Sequence, residues 1–239
     1  LQALAGPSAG PNGGQIFVDG FTGARLPPRA SIREIRINSN PFSAEYDRLG
    51  FGRIEILTRP GTDRFRGQVS LNFNDDALNS RNPFSLTSKR PPIQTRQYGG
   101  NFGGPISKKK ASFFVDFDKR DIDDEALIVG QVLDANNNIV GFSDTAPIPS
   151  RRTSFSPRID YQINPNHTLV GRYSYTKNTR VVGVGGFSLP SRAYDTESTE
   201  NQLQLTETAI LSKTIVNETR FQFEHQKAQQ NADNSIPTI

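Results

Sequence analysis

The chain of 239 residues predicts a mainly β fold built from antiparallel strands, and two observations lead to that prediction. Apolar and polar residues alternate with a period of two in seven segments after Phe65, which indicates strands rather than helices. The connections between these segments alternate between long and short. Short turns on one side and long loops on the other are typical of a bacterial transmembrane β-barrel.

The seven predicted strands follow one another without a long helical segment between them. They lie at residues 66–74, 96–104, 111–119, 153–163, 168–177, 199–211 and 215–226. The connections contain roughly twenty, six, thirty, four, twenty and three residues in that order, whereas loops in general have a median of about five. We therefore expect a barrel wall whose long loops all leave from the same edge.

Each predicted strand has one apolar face, rich in aromatic residues, and one polar face. In the first strand, Val69 and Leu71 alternate with Gln68 and Ser70. Aromatic residues near strand ends, such as Tyr161 before a short turn, favour the aromatic girdles of a barrel. The alternation also fits a secreted or surface β-sandwich that binds glycans or proteins through long loops. The pattern favours the barrel but does not exclude the sandwich.

The longest connection, at 120–152, is predicted to contain a hairpin of its own. Its two strands and its turn lie at 127–133, 139–142 and 134–138. The turn starts with the Asp-x-Asn-x-Asn spacing of a calcium loop, but Ile139 and Thr145 occupy the positions that need Gly and a bidentate Glu. The sequence therefore predicts a polar turn without a metal ion.

The residue types present limit the chemistry of the chain. It contains no Cys, which excludes disulfides and thiolate metal sites, and it has neither Met nor Trp. His167 and His225 lack a nearby metal-ligand spacing, and no nucleophile elbow is present. We therefore predict no catalytic residue, no metal ion and no cofactor, and we do not expect an enzyme.

Charge and hydropathy point in the same direction as the strand pattern. The net charge is +4 and the basic residues are scattered, which argues against nucleic-acid binding. Hydrophobic residues make up 34 % and the mean hydropathy is −0.56, as expected for a wall with a polar inner face and long wet loops. No apolar run reaches the about 18 residues of a membrane-spanning helix, so any crossing would use strands.

The first 65 residues predict a different unit, a small mixed α/β region before the first long strand. Short strands are predicted at 16–20, 32–37 and 54–58. Residues 1–14 are rich in Gly, Pro and Ala and predict a linker, whereas 43–46 predict a single helical turn capped by Ser43. This unit joins the first long strand directly.

Ordered motifs in this unit and in the first long strands resemble one known family. The motifs are Ile32-Arg-Glu-Ile-Arg-Ile37, Phe42-Ser-Ala-Glu-Tyr-Asp-Arg-Leu-Gly50-Phe-Gly52-Arg-Ile-Glu-Ile56, Thr58-Arg-Pro-Gly-Thr-Asp-Arg-Phe-Arg-Gly67, Tyr98-Gly-Gly-Asn-Phe-Gly-Gly-Pro-Ile-Ser107 and Lys110-Ala-Ser-Phe-Phe114. Together they resemble the end of the plug and the first barrel strands of TonB-dependent outer-membrane receptors. The Oar-like group of that family is the most similar.

The resemblance implies a fold in two parts and a role in transport. Residues 1–64 would be the C-terminal part of a plug domain, and 65–239 about the first seven strands of an incomplete outer-membrane barrel of about 22 strands. The implied function is import of a bulky nutrient (a siderophore, glycan or peptide) by rearrangement of the plug. The implied partners are the lipid of a Gram-negative outer membrane, an unidentified substrate, and the TonB complex through a part of the parent that this chain lacks.

Charged residues on the short plug strands are candidates for contacts with the lumen-facing wall. The plug set is Arg33, Glu34, Arg36, Arg53, Glu55 and Arg59. The wall set is Arg158, Asp160, Arg172, Arg220 and Glu224. Polar contacts and water would let a plug rearrange at lower cost than a dry apolar core. The sequence is equally consistent with ordinary strand charges that face solvent. The pairing between the plug set and the wall set is therefore a hypothesis.

Overall fold

A computed structural model describes residues 13–23, 26–38, 40, 42, 50–78, 80 and 92–232. It consists of a four-stranded sheet, a seven-stranded sheet and a separate two-stranded hairpin. The predicted helical turn at 43–46 and nearly all of the predicted linker at 1–14 lie outside the described residues.

The first sheet, called the small sheet below, contains the three predicted short strands and one short addition. Its strands are β1 (Gly14–Val18), β2 (Phe21–Thr22), β3 (Ile32–Asn38) and β4 (Gly52–Thr58). Their order is β2-β1-β4-β3, with β1 parallel to β4 and the other pairs antiparallel. Val18, Ile54 and Ile56 are buried and form its apolar core, which fixes β1 against β4.

The second sheet, called the wall, contains all seven predicted long strands. They are β5 (Arg66–Asp75), β6 (Gln94–Ser107), β7 (Ala111–Asp123), β10 (Ser150–Asn164), β11 (His167–Val182), β12 (Tyr194–Ile210) and β13 (Val216–Ala232). Each strand pairs antiparallel with the next wall strand along the chain. One continuous sheet, rather than two packed sheets, excludes the sandwich that the sequence pattern left open.

The two faces of the wall differ as the alternation predicts. Val69 and Leu71 point to the outer face, where they are 80 % and 72 % exposed. Asp116, Gln202 and Gln204 lie on the inner face and are buried. Polar groups turned inward and apolar groups turned outward are the arrangement of a barrel wall in lipid. Within the described residues, no helix is long and apolar enough to cross a membrane.

The connections of the wall alternate in length, as predicted. The short turns are 108–110, 165–166 and 211–215, and the long connections are 76–93, 124–149 and 183–193. The strands are longer than predicted, mostly at the ends that lead to the long connections. For example, β12 begins at Tyr194 and β13 ends at Ala232. These ends are polar on both faces and therefore lack the apolar alternation on which the prediction rested.

The predicted hairpin in the longest connection is present and is attached to the next long connection. It consists of β8 (Glu125–Leu133) and β9 (Ile139–Pro147). The backbone N–H of Val129 donates to Gly186 O at 2.8 Å, and the N–H of Gly186 donates to Leu127 O at 2.9 Å. Ile128, between these contacts, is fully buried. The hairpin and the segment around Gly186 therefore form one packed unit at the long-loop edge of the wall.

Candidate functional site

The turn after β1 places a carboxylate between the small sheet and the wall. Asp19 has a φ of +50° and precedes Gly20, which has a φ of +82°. Asp19 Oδ1 accepts a hydrogen bond from the backbone N–H of Thr58 at 2.8 Å, and Oδ2 accepts one from Thr58 Oγ1 at 2.6 Å. Asp19 therefore ties the end of β1 to the end of β4.

Two arginines of the wall reach this carboxylate from neighbouring strands. Arg172 Nη1, from β11, donates to Asp19 Oδ2 at 3.3 Å. Arg158 Nη1, from β10, lies 3.8 Å from the same oxygen and donates to Thr58 Oγ1 at 2.7 Å. Because Arg158 and Arg172 are directly opposite in the register, both guanidinium groups converge on one point of the small sheet.

Asp160 is a second carboxylate, and with Asp19 it balances the charges of the two arginines. Arg158 donates to Asp160 through Nη2 at 2.6 Å and through Nε at 3.1 Å. Asp160 Oδ2 also accepts a hydrogen bond from the backbone N–H of Gly61 at 3.2 Å. Asp19, Asp160, Arg158 and Arg172, called the charge cluster below, thus carry two negative and two positive charges. Charges removed from water are stable only when they are paired in this way.

A second contact joins the small sheet to the last wall strand. Arg220 Nη1 donates to Gly20 O at 3.4 Å, and Gln222 Nε2 donates to Thr22 O at 3.5 Å. The φ of +82° at Gly20 favours glycine, and the nearest atoms to a Cβ there would be those of the Arg220 guanidinium group, the flexible end of that side chain. The small sheet therefore contacts β10, β11 and β13 on the inner face of the wall.

The chain passes from the small sheet to the wall through another close approach. A Cβ atom on Gly61 would lie 2.5 Å from Ser112 Cβ and 2.6 Å from the backbone N of Phe113. The connection thus runs against the start of β7 before it enters β5. A side chain at Gly61 would push the connection away from the wall.

The charged residues predicted on the small sheet mainly contact their own sheet. Arg36 Nε donates to Glu34 Oε1 at 2.9 Å, and this hydrogen bond lowers the pKa of Glu34. Arg53 Nη2 donates to Glu55 Oε1 at 2.9 Å. Arg59 Nε donates to the carbonyl oxygen of Ile32 at 3.1 Å, and Arg33 lies exposed on β3. Pairing of this set with the wall stays a prediction.

The wall residues predicted from sequence lie on the inner face, but their partners differ from those expected. Arg158, Asp160, Arg172 and Arg220 contact Asp19, Gly20, Thr58 and Gly61 of the small sheet and its exit. Glu224 accepts a hydrogen bond from Gln202 at 3.2 Å within the wall. Asp19 could not be predicted as a site residue, because an Asp-Gly pair after a strand signals a turn and carries no sign of a long-range partner.

The chemistry of the site is that of a polar contact between the small sheet and the wall. The interface consists of charged and amide side chains, backbone groups and hydroxyls, all of which can exchange their partners for water. Among the described residues, no group of three or more His, Cys, Asp or Glu side chains could hold a metal ion. The arrangement therefore provides docking between two parts of the chain.

A seven-stranded antiparallel sheet with an apolar outer face and a polar inner face is the architecture of part of an outer-membrane β-barrel. The family described as "Outer membrane beta barrel domain" matches residues 57–138 and 128–238. The chain belongs to this family. It is therefore a protein of the Gram-negative outer membrane.

The most informative relatives are a transporter and two receptors. The chain is 23 % identical over 176 residues to the TonB-dependent transporter Oar of Myxococcus xanthus, and the match covers 65 % of this chain and 16 % of that protein. It matches the siderophore receptor PirA of Pseudomonas aeruginosa with a TM-score of 0.59 and 15 % identity over 94 % of this chain. PirA of Acinetobacter baumannii matches with a TM-score of 0.55 and 16 % identity over 93 % of this chain.

The matches to the solved receptors include the small sheet as well as the wall. They also show what fraction of a receptor chain this sequence represents. It spans 34 % and 33 % of the two solved receptor chains. The matched region includes both the small sheet and the wall, so the chain has the fold of a TonB-dependent receptor segment. The proteins found are transporters and receptors, which supports the prediction that the chain is not an enzyme.

Proposed function

We propose that residues 1–64 form the end of the plug and residues 65–239 the leading wall strands of a TonB-dependent receptor that imports a bulky nutrient. The substrate would be a siderophore, a glycan or a peptide, captured by the long loops and the plug. TonB would act through another part of the parent protein and rearrange the plug to open a path. The similarity to the transporter Oar and to siderophore receptors supports this proposal.

The observation that carries the proposal is the charge cluster between the small sheet and the wall. Arg172 is only 7 % exposed, so its charge needs Asp19 while the small sheet is docked. Water or a rearranged side chain could replace that partner once the sheet moves. An apolar interface would instead expose its whole area to water at about 25 cal/mol per Å². The polar interface therefore suits a plug that must move and return.

The proposal also assigns a position to the exposed charged residues of β3. β3 is the edge of the small sheet farthest from β2, whose Thr22 carbonyl contacts the wall. We propose that Arg33, Glu34 and Arg36 face the portion of the barrel that the remaining strands would form. Arg53, Glu55 and Arg59 would reach the wall only when the plug rearranges.

The experiment that tests the function is hydrogen exchange on the complete protein in detergent, with and without the carboxy-terminal domain of TonB. Peptides that cover 14–18 and 52–58 should exchange faster when TonB is bound, because those strands form the core of the small sheet. Peptides from the wall strands should not change and serve as the internal control. Unchanged exchange in the small sheet, with TonB bound, would contradict the proposed mechanism.

A further inference from the structure

The two arginines of the charge cluster differ in the partners that they would keep if the small sheet left the wall. Arg158 donates to Asp160 on its own strand through Nη2 at 2.6 Å and Nε at 3.1 Å, and this pair does not need the small sheet. Within the described part of the chain, Arg172 donates a hydrogen bond only to Asp19, in the turn after β1. Displacement of the small sheet would therefore leave Arg158 with a carboxylate and remove the hydrogen-bonded carboxylate of Arg172.

The wall contains a buried carboxylate oxygen that lacks a donor and lies within electrostatic reach of Arg172. Asp116, on β7, is 1 % exposed, and its Oδ1 has no hydrogen-bond partner among the described residues. The charges of Asp116 and Arg172 attract each other across β10. A buried acceptor without a donor costs free energy, so its presence in a folded protein calls for an explanation. Asp116 Oδ1 can accept a hydrogen bond that the docked small sheet does not provide.

A second acceptor without a donor lies beside Arg172 on the other neighbouring strand. Gln204, on β12, is directly opposite Arg172 in the register and is buried. Its Nε2 donates to Gln222 Oε1 at 3.0 Å, whereas its Oε1 has no partner among the described residues. A guanidinium group has five N–H donors, so different N–H groups can serve a carboxylate and an amide oxygen. The wall thus offers Arg172 a charged acceptor and a neutral one.

The inner face between Arg172 and Asp116 carries a short side chain. Asp116 is opposite Ser156 of β10, whereas Arg172 is opposite Arg158 of the same strand. Asp116 therefore lies one inward-facing row closer to the long loops, with β10 between the two strands. The hydroxymethyl group of Ser156 is too short to block a guanidinium group that crosses β10. Repulsion from Arg158 favours this movement once Asp19 has left, because like charges directly opposite each other are destabilising.

We propose that Arg172 has a second position on the wall, in which its guanidinium group leaves Asp19 and pairs with Asp116, beside Gln204. This position holds the charge of Arg172 while the small sheet is displaced and returns it to Asp19 when the sheet docks again. Because the buried charge has a carboxylate in both states, displacement costs less than the loss of a partner that nothing replaces. The inference rests on the plug rearrangement of the proposed function and names the wall residue that takes over from the small sheet.

The first test is an experimental structure of the complete Asp19→Ala protein in detergent, without TonB. This variant removes the carboxylate of the docked state, so a guanidinium nitrogen of Arg172 should lie about 3 Å from Asp116 Oδ1. The unchanged protein is the control and should keep Arg172 at Asp19. A guanidinium group in Asp19→Ala that donates to water or to other residues, and not to Asp116, would overturn the second position.

Hydrogen exchange on the otherwise unchanged protein gives a second test, which does not depend on how Asp19→Ala folds. Asp116→Asn removes the carboxylate of the displaced state, so peptides from β1 and β4 should exchange about tenfold more slowly. Loss of an ordinary structural contact would instead make their exchange faster. The matched control is Asp118→Asn on the same face of β7, because Asp118 already accepts a hydrogen bond from Gln97 Nε2 at 2.8 Å. This control should change the exchange less than about twofold.

A variant without the guanidinium group separates the second position from the burial of Asp116 itself. In an Arg172→Gln background, the further change Asp116→Asn should alter the exchange of β1 and β4 by less than about twofold. The same slowing with and without Arg172 would show that burial of Asp116 alone sets the rate, and it would overturn the inference. Faster exchange in Asp116→Asn alone would do so as well.

These outcomes are distinct from a failure of the proposed function. If TonB leaves the exchange of the small sheet in the unchanged protein as it was, the plug rearrangement is contradicted. The structure of Asp19→Ala would still decide whether Arg172 takes the second position, because that experiment contains no TonB.

Discussion

Asp19 Oδ2 accepts a hydrogen bond from Arg172 Nη1 at 3.3 Å, although 153 residues separate the two in the chain. This contact joins the small sheet to the inner face of the wall and completes a cluster of two acids and two arginines. Because Arg172 is buried, the loss of Asp19 would leave its guanidinium group without its hydrogen-bonded carboxylate. The docking of the small sheet therefore depends on a turn residue that lies outside its regular strands.

Replacement of Asp19 by Ala should loosen the small sheet. The change removes the two hydrogen bonds to Thr58 and the hydrogen bond from Arg172, and together these losses should cost about 3 kcal/mol. Hydrogen exchange at 14–18 and 52–58 should become roughly a hundredfold faster in the complete protein. The matched control is Glu55→Ala, since Glu55 pairs with Arg53 on the same strand and should cost less than about 1 kcal/mol. Equal effects of the two variants would contradict the special role of Asp19.

A side chain at Gly61 should disturb the passage from the small sheet to the wall. In Gly61→Ala, the new methyl group meets Ser112 Cβ and the Phe113 backbone, and the backbone has no room to yield. Overpacking of this kind typically costs about 1–3 kcal/mol. We expect the folded band on an unheated gel to be lost at a lower temperature. Gly130→Ala, where nothing lies within 4 Å of the new Cβ, should leave that temperature unchanged.

The attachment between the hairpin and the following long connection depends on Gly185. This residue has a φ of +114°, and a Cβ atom there would lie 2.9 Å from Ala126 Cβ. Gly185→Ala should cost about 1–3 kcal/mol and release the N–H of Val129 from Gly186 O. Hydrogen exchange of the peptide 127–131 should therefore become at least about tenfold faster. The same peptide should keep its protection in Gly141→Ala, which meets no atom within 4 Å.

The turn of the hairpin should be ordered at neutral pH and should loosen in acid. The backbone N–H of Asn138, its side-chain amide and the backbone N–H of Asn136 donate to Asp134 and lower the pKa of this carboxyl. A lowered pKa in the folded state means that the stabilisation is complete above the unfolded pKa of about 3.9. It is lost as the pH falls through the lower folded value.

This pH dependence can be followed through the amide signal of Asn138 in protein labelled with ¹⁵N-asparagine. The signal should be constant from neutral pH to about 5 and should shift below about 4. In Asp134→Asn the carboxyl group is absent, so the acid-dependent shift should disappear. A shift centred near neutral pH in the unchanged protein would show that another group controls the turn.

The wall could be predicted from sequence because its signal is local and repeated. Alternation such as Val69-Ser70-Leu71 places side chains on two faces, and each short turn fixes the pairing of its two strands. The hairpin of β8 and β9 was predictable for the same reason. Strand ends such as 194–198 were missed because both of their faces are polar, whereas the ladder of backbone hydrogen bonds continues through them.

Only the wall residues of the site could be predicted from the sequence. Arg158, Asp160, Arg172 and Arg220 stand out as charges on the inward face of alternating strands, so their positions follow from the strand pattern. Their partners do not, because packing of the small sheet on the wall depends on contacts far apart in the chain. Glu34 and Glu55 were conspicuous in sequence, yet each pairs with an arginine two residues away.

The central claim is that these strands belong to a plugged barrel in the outer membrane, and fractionation of the complete protein tests it most directly. Outward residues such as Val69, Leu71 and Phe223 are largely exposed and need lipid to cover them. We expect a protein of the outer-membrane fraction that requires detergent and changes its mobility on a gel after boiling. A protein that stays in solution without detergent and shows the same mobility before and after boiling would contradict the account.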